Sequence, residues 1–131
     1  MNMKLAGCII ENEHGGILLL HRQTTKRQQW EIPGGKVETG ELLAEAAIRE
    51  IEEELGVRVT IEKLLGKKDF REDDRIMQYN WYSAKIIHGK PKIMEPETFD
   101  GLRYFSPVEM RKLFDELSPN AQNFINFLKA G

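Results

Sequence analysis

Residues 35–57 read GKVETGELLAEAAIREIEEELGV, and this stretch decides how the rest of the chain is read. A turn, Pro33-Gly34-Gly35, leads into it. The spacing predicts a helix over about Glu41 to Leu55, with Gly40 at its entry and Gly56 as the C′ stop. At about 100° per residue, Ala44, Ala47, Ile48, Ile51 and Leu55 share an apolar arc. Glu45, Arg49 and Glu52 point the other way. Glu50, Glu53 and Glu54, at i, i+3 and i+4, fall together on a third arc that adjoins the apolar one. Like charges at these spacings each destabilise a helix by about 0.2–0.5 kcal/mol. Acids in the last turns also oppose the helix dipole, by roughly 0.3–1 kcal/mol each.

A solvated acidic face accounts for Glu45 and Glu52. It accounts poorly for Glu50, Glu53 and Glu54, which helical spacing turns toward the apolar side. Arg49 is the one cation close by, and its i−4 neighbour Glu45 competes for it. A divalent cation would remove the repulsion. Mg²⁺ takes hard oxygen ligands and is commonly held by a few carboxylates together with substrate phosphates.

Gly35, Glu41 and the run Arg49-Glu50-Ile51-Glu52-Glu53-Glu54-Leu55-Gly56-Val57 fill every fixed position of a pattern that resembles the Nudix box. The preceding Trp30-Glu31-Ile32-Pro33-Gly34-Gly35-Lys36-Val37-Glu38 resembles the MutT-like branch of that family. The resemblance implies an α/β (α+β) fold, an α/β/α sandwich with a mixed curved β-sheet between helices, as a single domain over 1–131. It implies a Mg²⁺-dependent hydrolase, with Mn²⁺ as the alternative ion. The metal set it carries over is Glu50, Glu53, Glu54 and the Gly34 carbonyl. Glu50, or a loop glutamate at Glu95 or Glu97, would take the proton from the attacking water. Arg49 would orient the acids by charge-assisted hydrogen bonds, and Glu41 would support the loop from the positive end of the helix.

The bulk numbers set the frame. A chain of 131 residues suits one domain with a real core. The net charge of −2 carries no basic footprint for duplex nucleic acid. With one cysteine, Cys8, no internal disulfide can form; it reads as a small buried hydrophobe. The apolar run Leu5–Ile10 is too short for a signal segment or a membrane span, so the default setting is cytoplasmic.

Along the chain, Lys4–Glu11 and Ile17–Arg22 read as strands joined by Asn12–Gly16 turn chemistry, an expected hairpin. Trp30–Ile32 is a short extended piece ended by Pro33. Val57–Leu65 should be a strand, Lys67–Arg75 a charged loop or hairpin tip, and Ile76–Ile87 the longest strand. Tyr79, Trp81 and Tyr82 within it read as core or cross-strand pairs. Gly101–Phe105 is the last strand. Ser106 should cap one helix, with Pro107 at N1 and Glu109 at N3. Ser118-Pro119 starts another, running to about Lys129, with Ala121, Phe124, Ile125 and Leu128 as its packing face.

Three further roles come with the resemblance. Arg22, at the end of its strand, is placed toward the phosphates. Lys36 resembles a phosphate contact, with a plain surface lysine as the competing reading. Asn120, at the entrance of the last helix, corresponds to an asparagine that hydrogen-bonds an oxidised purine, against an ordinary helix-start residue. The expected partner is a small-molecule nucleotide. The reaction expected is conversion of a nucleoside triphosphate, oxidised dGTP among them, to a monophosphate and pyrophosphate. Other Nudix substrates (ADP-ribose, a dinucleotide, a dinucleoside polyphosphate) are the alternative. Against ADP-ribose stands the lack of any proline between Pro33 and Pro91, where that group carries one beyond its box. A non-catalytic nucleotide-binding module is the rival of another class; an intact set of acids argues against it.

Overall fold

Each face of the strand layer is apolar, and the chain covers each with helix. The computed structural model describes residues 2–130. The elements in order are β1 (Asn2–Ile10), β2 (Ile17–Gln23), β3 (Gln28–Glu31), β4 (Gly34–Lys36), α1 (Leu43–Leu55), β5 (Arg58–Glu72), β6 (Arg75–His88), β7 (Phe99–Phe105), α2 (Pro107–Lys112) and α3 (Pro119–Ala130), with a 3-10 turn at Phe114–Glu116. One sheet runs β4-β1-β6-β5 and the other β3-β2-β7. The first is mixed: β1 pairs parallel with β6 and antiparallel with β4.

Side chains alternate across a strand, so β1 and β2 feed two separate cores. Ala6, Cys8, Ile10, Leu18 and Leu20 pack with Ala46, Ala47, Ile51 and Leu55 of α1. Ile9, Ile17, Leu19, Tyr79 and Trp81 pack with Met110 of α2 and Ala121, Phe124 and Ile125 of α3. The α/β/α sandwich is therefore present, with the strand layer made of two sheets where one was expected. Cys8 is fully buried, and burial holds its thiol at about 12, out of reach of ordinary thiolate chemistry.

The β1–β2 hairpin does not form. Its turn does: the Asn12 side-chain oxygen accepts from the His14 and Gly16 amides at 3.0 and 2.7 Å. Beyond a bridge at Glu11–Ile17 the strands part. Their edges are already taken, those of β1 by β4 and β6 and those of β2 by β3 and β7. Of the two readings of the charged segment 67–75, loop or hairpin tip, the structure takes the second. The β5–β6 ladder runs through it from Arg58↔His88 to Glu72↔Arg75, leaving only Asp73 and Asp74 at the tip. Asp73 takes φ 55, which a short polar side chain tolerates at a turn. β5 lies at the edge of its sheet, with Lys63, Lys67, Lys68, Asp69 and Arg71 exposed and three register shifts along its length. The first half of β5 is the strand expected at Val57–Leu65; beyond it, solvated side chains at an edge need no apolar alternation, so the continuation to Glu72 left no period-2 signal.

Helix α1 starts at Leu43, two residues after the expected Glu41. Glu45 explains the shift: its Oε1 accepts from the Leu42 amide at 3.0 Å, satisfying one of the free donors of the first turn. Gly56 ends the helix at φ 68, as a C′ glycine should. The Ser106 box also forms, with Ser106 Oγ accepting from the Glu109 amide and Glu109 Oε1 from the Ser106 amide. On α3, Ala121, Phe124 and Ile125 are buried as expected, but Leu128 is 36% exposed, outside the packing face. No helix among the described residues is long and apolar enough to cross a membrane.

Candidate active site

Strand β4 brings the glycine turn against α1, and the two adjacent glycines are there for different reasons. A Cβ on Gly34 would run into the β1 backbone at Ala6 and Gly7, so Gly34 is what lets β4 lie against β1. A Cβ on Gly35 would run into the carboxylate of Glu50. Gly35 thus leaves the space that the Glu50 side chain fills.

Arg49 ties the acids together. Its Nε and Nη2 donate to the two Glu41 oxygens at 2.8 and 3.0 Å, a bidentate pair. Its Nη1 donates to Glu50 at 3.0 Å and to both oxygens of Glu53 at 3.2 Å, and Nη2 also reaches the Lys36 carbonyl at 3.0 Å. The expected competitor, Glu45, is engaged at the helix start instead. Glu41 in turn accepts from the Glu38 amide at 3.0 Å, pinning the loop that enters α1. These contacts hold the Glu41 carboxyl below its usual range, the Arg49 hydrogen bond contributing most, and raise the Arg49 guanidinium above its own.

Glu54 stands apart. It is 8% exposed, and its Oε1 accepts from the Gly34 amide at 2.8 Å. Burial pushes its carboxyl well up, against the pull of that amide, and the charges of Glu50, Glu31 and Glu95 add to the rise. Burial also raises Glu50, with Arg49 opposing. Glu53 is half exposed. As these side chains stand, no three His, Cys, Asp or Glu among the described residues converge to hold one ion. Arg49 draws Glu50 and Glu53 to its own guanidinium, while Glu54 turns to Gly34.

Both raised carboxyls bind protons more tightly in the folded chain than in the unfolded one. Their contribution therefore favours folding below the unfolded carboxylate range, and it is lost as pH rises through the folded values. Glu54→Gln keeps an acceptor for the Gly34 amide and removes the buried charge. We expect it to raise the Tm of the metal-free protein at pH 7.5 by roughly 3–6 °C, the equivalent of about 1 kcal/mol. The gain should shrink on acidification toward pH 5. A lower Tm at both pH values would count against a costly Glu54 charge.

The two glycines that Glu54 and Glu50 contact also line a cleft of about 930 Å³, together with Lys36, Arg22, Arg27, Glu31, Tyr79 and Asn120. Arg22 lies in it but is engaged: Nε and Nη2 donate to Glu31 at 2.7 and 3.1 Å, and the guanidinium stacks 5.0 Å from the centre of the Phe99 ring. Lys36 is exposed at the rim. Asn120 lines the same cleft, and its Oδ1 accepts from the Trp81 indole at 2.7 Å. Of the two loop acids, Glu95 is half-buried and its charge is felt at Glu50, Glu54 and Arg22. Glu97 is exposed and appears in none of these interactions.

Sequence reasoning missed Glu31, Trp81 and the fit of Gly35 to Glu50. Glu31 was discoverable in part, since it sits two residues from Gln29, the residue opposite Arg22 in the β2–β3 pairing. Nothing in the sequence links Trp81 to a residue 39 positions away.

A family model for the NUDIX domain matches residues 1–128. A CTP pyrophosphohydrolase of Escherichia coli is 30% identical over 109 residues, 82% of this chain and 78% of that protein. An 8-oxo-dGTP diphosphatase of Haemophilus influenzae is 34% identical over 91 residues, 68% of this chain and 67% of its own length. A crystal structure of a MutT NUDIX hydrolase from Burkholderia pseudomallei superposes with a TM-score of 0.81 at 27% identity, covering 96% of this chain and 97% of that one.

Proposed function

The chain belongs to the Nudix family of hydrolases, and from that premise we propose that it is a MutT-like pyrophosphohydrolase, splitting a nucleoside triphosphate or its oxidised form into a monophosphate and pyrophosphate. The observation that carries this reading is the cleft itself. The glycine turn that lines it, Gly34-Gly35, is held by Glu54 and fitted against Glu50 of α1, and the amide-bearing side chain of Asn120 lines the same cleft. A triphosphate with its base calls for both, a place for the polyanion and a hydrogen-bonding group for the base.

Members of this family generally use a divalent cation. The donors here fit one: they are hard oxygens, and burial raises two of the carboxyls, Glu50 and Glu54. Glu50, Glu53, Glu54 and the Gly34 carbonyl would hold Mg²⁺ or Mn²⁺. Bound there, the ion would offset phosphate charge and lower the pKa of a water.

The chain's own residues do the rest. Glu95 is the better placed loop acid to take a proton from the attacking water, since it shares the electrostatics of Glu50 and Glu54, and Glu97 does not. Arg49 positions Glu50 and Glu53 without touching substrate. Arg22 is held by Glu31 with its Nε and Nη2, which leaves Nη1 for a phosphate oxygen, and Lys36 adds a charge at the rim.

The test is a panel of 8-oxo-dGTP, dGTP, dATP, CTP, ADP-ribose and diadenosine tetraphosphate with Mg²⁺, followed by product identification. Pyrophosphate and a nucleoside monophosphate from a triphosphate are expected. Faster cleavage of ADP-ribose or the dinucleoside polyphosphate would overturn the substrate class. Turnover of none would point to a binding module. With the best substrate, Glu95→Gln should slow kcat by about 10²-fold or more, as expected for a proton acceptor, and Glu97→Gln by less than about threefold. The reverse order would exchange their roles.

A further inference from the structure

We propose that Trp81 is a positioning residue for base selection: it locks the Asn120 amide so that the site prefers a base with a keto acceptor over one with an amino donor. This rests on the reading of the cleft as a nucleoside triphosphate site.

An asparagine amide is ambiguous by itself, because turning it by 180° exchanges an acceptor for a donor pair. Asn120 is not free to turn. The indole Nε1–H of Trp81 is a donor only, and it meets Asn120 Oδ1 at 2.7 Å. The flipped amide would set N–H against N–H at that distance. The bond therefore settles which end of the amide faces the indole. The Asn120 NH₂ group remains to serve the cleft that Asn120 lines.

The lock is rigid at both ends. Trp81 is fully buried, with its ring 5.3 Å from those of both Phe124 and Phe127. Asn120, Phe124 and Phe127 follow at i, i+4 and i+7 along α3, so the indole lies along one face of that helix. The start of α3 is tied down as well: the Ser118 amide donates to the Trp30 carbonyl at 2.8 Å, and Ser118 Oγ accepts from the Ala121 amide at 3.2 Å. A donor fixed in this way selects by what opposes it. A guanine-type O6 accepts from it, whereas the exocyclic amine of adenine or cytosine places a donor against it. The proposal thus sets this chain on the guanine side of the choice between guanine-type and cytosine-type triphosphates.

The experiment compares kcat/KM for dGTP, dATP and CTP in the wild type, Trp81→Phe, Asn120→Ala and Asn120→Asp. Trp81→Phe keeps an aromatic ring in the core but loses the donor and part of the indole's volume. The dGTP preference should fall at least tenfold as the amide becomes free to turn. Asn120→Asp can still accept from the indole but offers the cleft no donor. Its preference should move at least tenfold toward dATP and CTP, a reversal that loss of packing alone would not produce. A folded Trp81→Phe protein with the wild-type ratio would overturn the proposal while leaving the base site standing. If Trp81→Phe does not fold, an unchanged ratio in Asn120→Asp overturns it. An unchanged ratio in Asn120→Ala, or a wild type indifferent to the base, would remove the base site itself and the proposal with it.

Discussion

Replacing Glu53 by glutamine is expected to lower kcat by roughly 10²–10⁴-fold, since the charge stabilisation at stake is several kcal/mol and each 1.36 kcal/mol is a factor of ten. The fold should survive. The Glu53 side chain is 49% exposed, it fills no core space, and Arg49 keeps its bonds to Glu41 and Glu50 without it. Thermal melting should therefore move by no more than about 2 °C, within the range of surface substitutions. Activity within tenfold of the wild type would take Glu53 out of the proposed ligand set. Raising the Mg²⁺ concentration offers a second reading: part of the lost rate should return if the carboxylate acts by holding the ion.

Gly35→Ala should be nearly as damaging, by way of a single methyl group. The backbone at Gly35 is not among the left-handed glycines, so alanine meets no conformational strain there. All the harm comes from the overlap of its Cβ with the Glu50 carboxylate. That carboxylate must move, and a displacement of about 1 Å at a reacting centre can cost roughly 10²-fold in rate. A side chain that is not fully buried can yield, so stability should fall by only about 1 kcal/mol, the low end for overpacking. Gly34→Ala is the useful contrast. There the obstacle is β1 backbone, which cannot swing aside, and the loss should appear in the melting temperature as well as in turnover. Equal Tm losses for the two variants would mean that Gly35 serves packing rather than the site.

The contrast shows what was legible in the chain and what was not. The helix with its crowded acids could be read because its periodicity is local and its charges conflict with it. Glu50, Glu53 and Glu54 needed no partner from elsewhere to attract notice. The caps at Ser106, Gly56 and Ser118 were readable for the same reason. What failed was pairing. The Asn12–Gly16 turn is real, yet a turn does not dictate that the strands beside it stay together when each has two other neighbours. Nor could spacing choose between Glu95 and Glu97. Two residues apart in an irregular segment, they differ only in which one the fold turns inward. Glu31 and Trp81 act through residues brought near by tertiary structure, and such partners carry no mark in a linear string.

The lysines and acids of β5 left its outer half open between loop and hairpin, and the same residues explain how the long outer strand can be left uncovered. An unpaired row of amides and carbonyls invites a strand from another molecule to add on, which is the first step toward a sticky stack of chains. Lys63, Lys67, Lys68 and Arg71 would have to surrender their hydration to such a visitor, and the repeated shifts in register keep the border from presenting a straight template. The charges that disguise the strand as a loop also guard its open side against unwanted company.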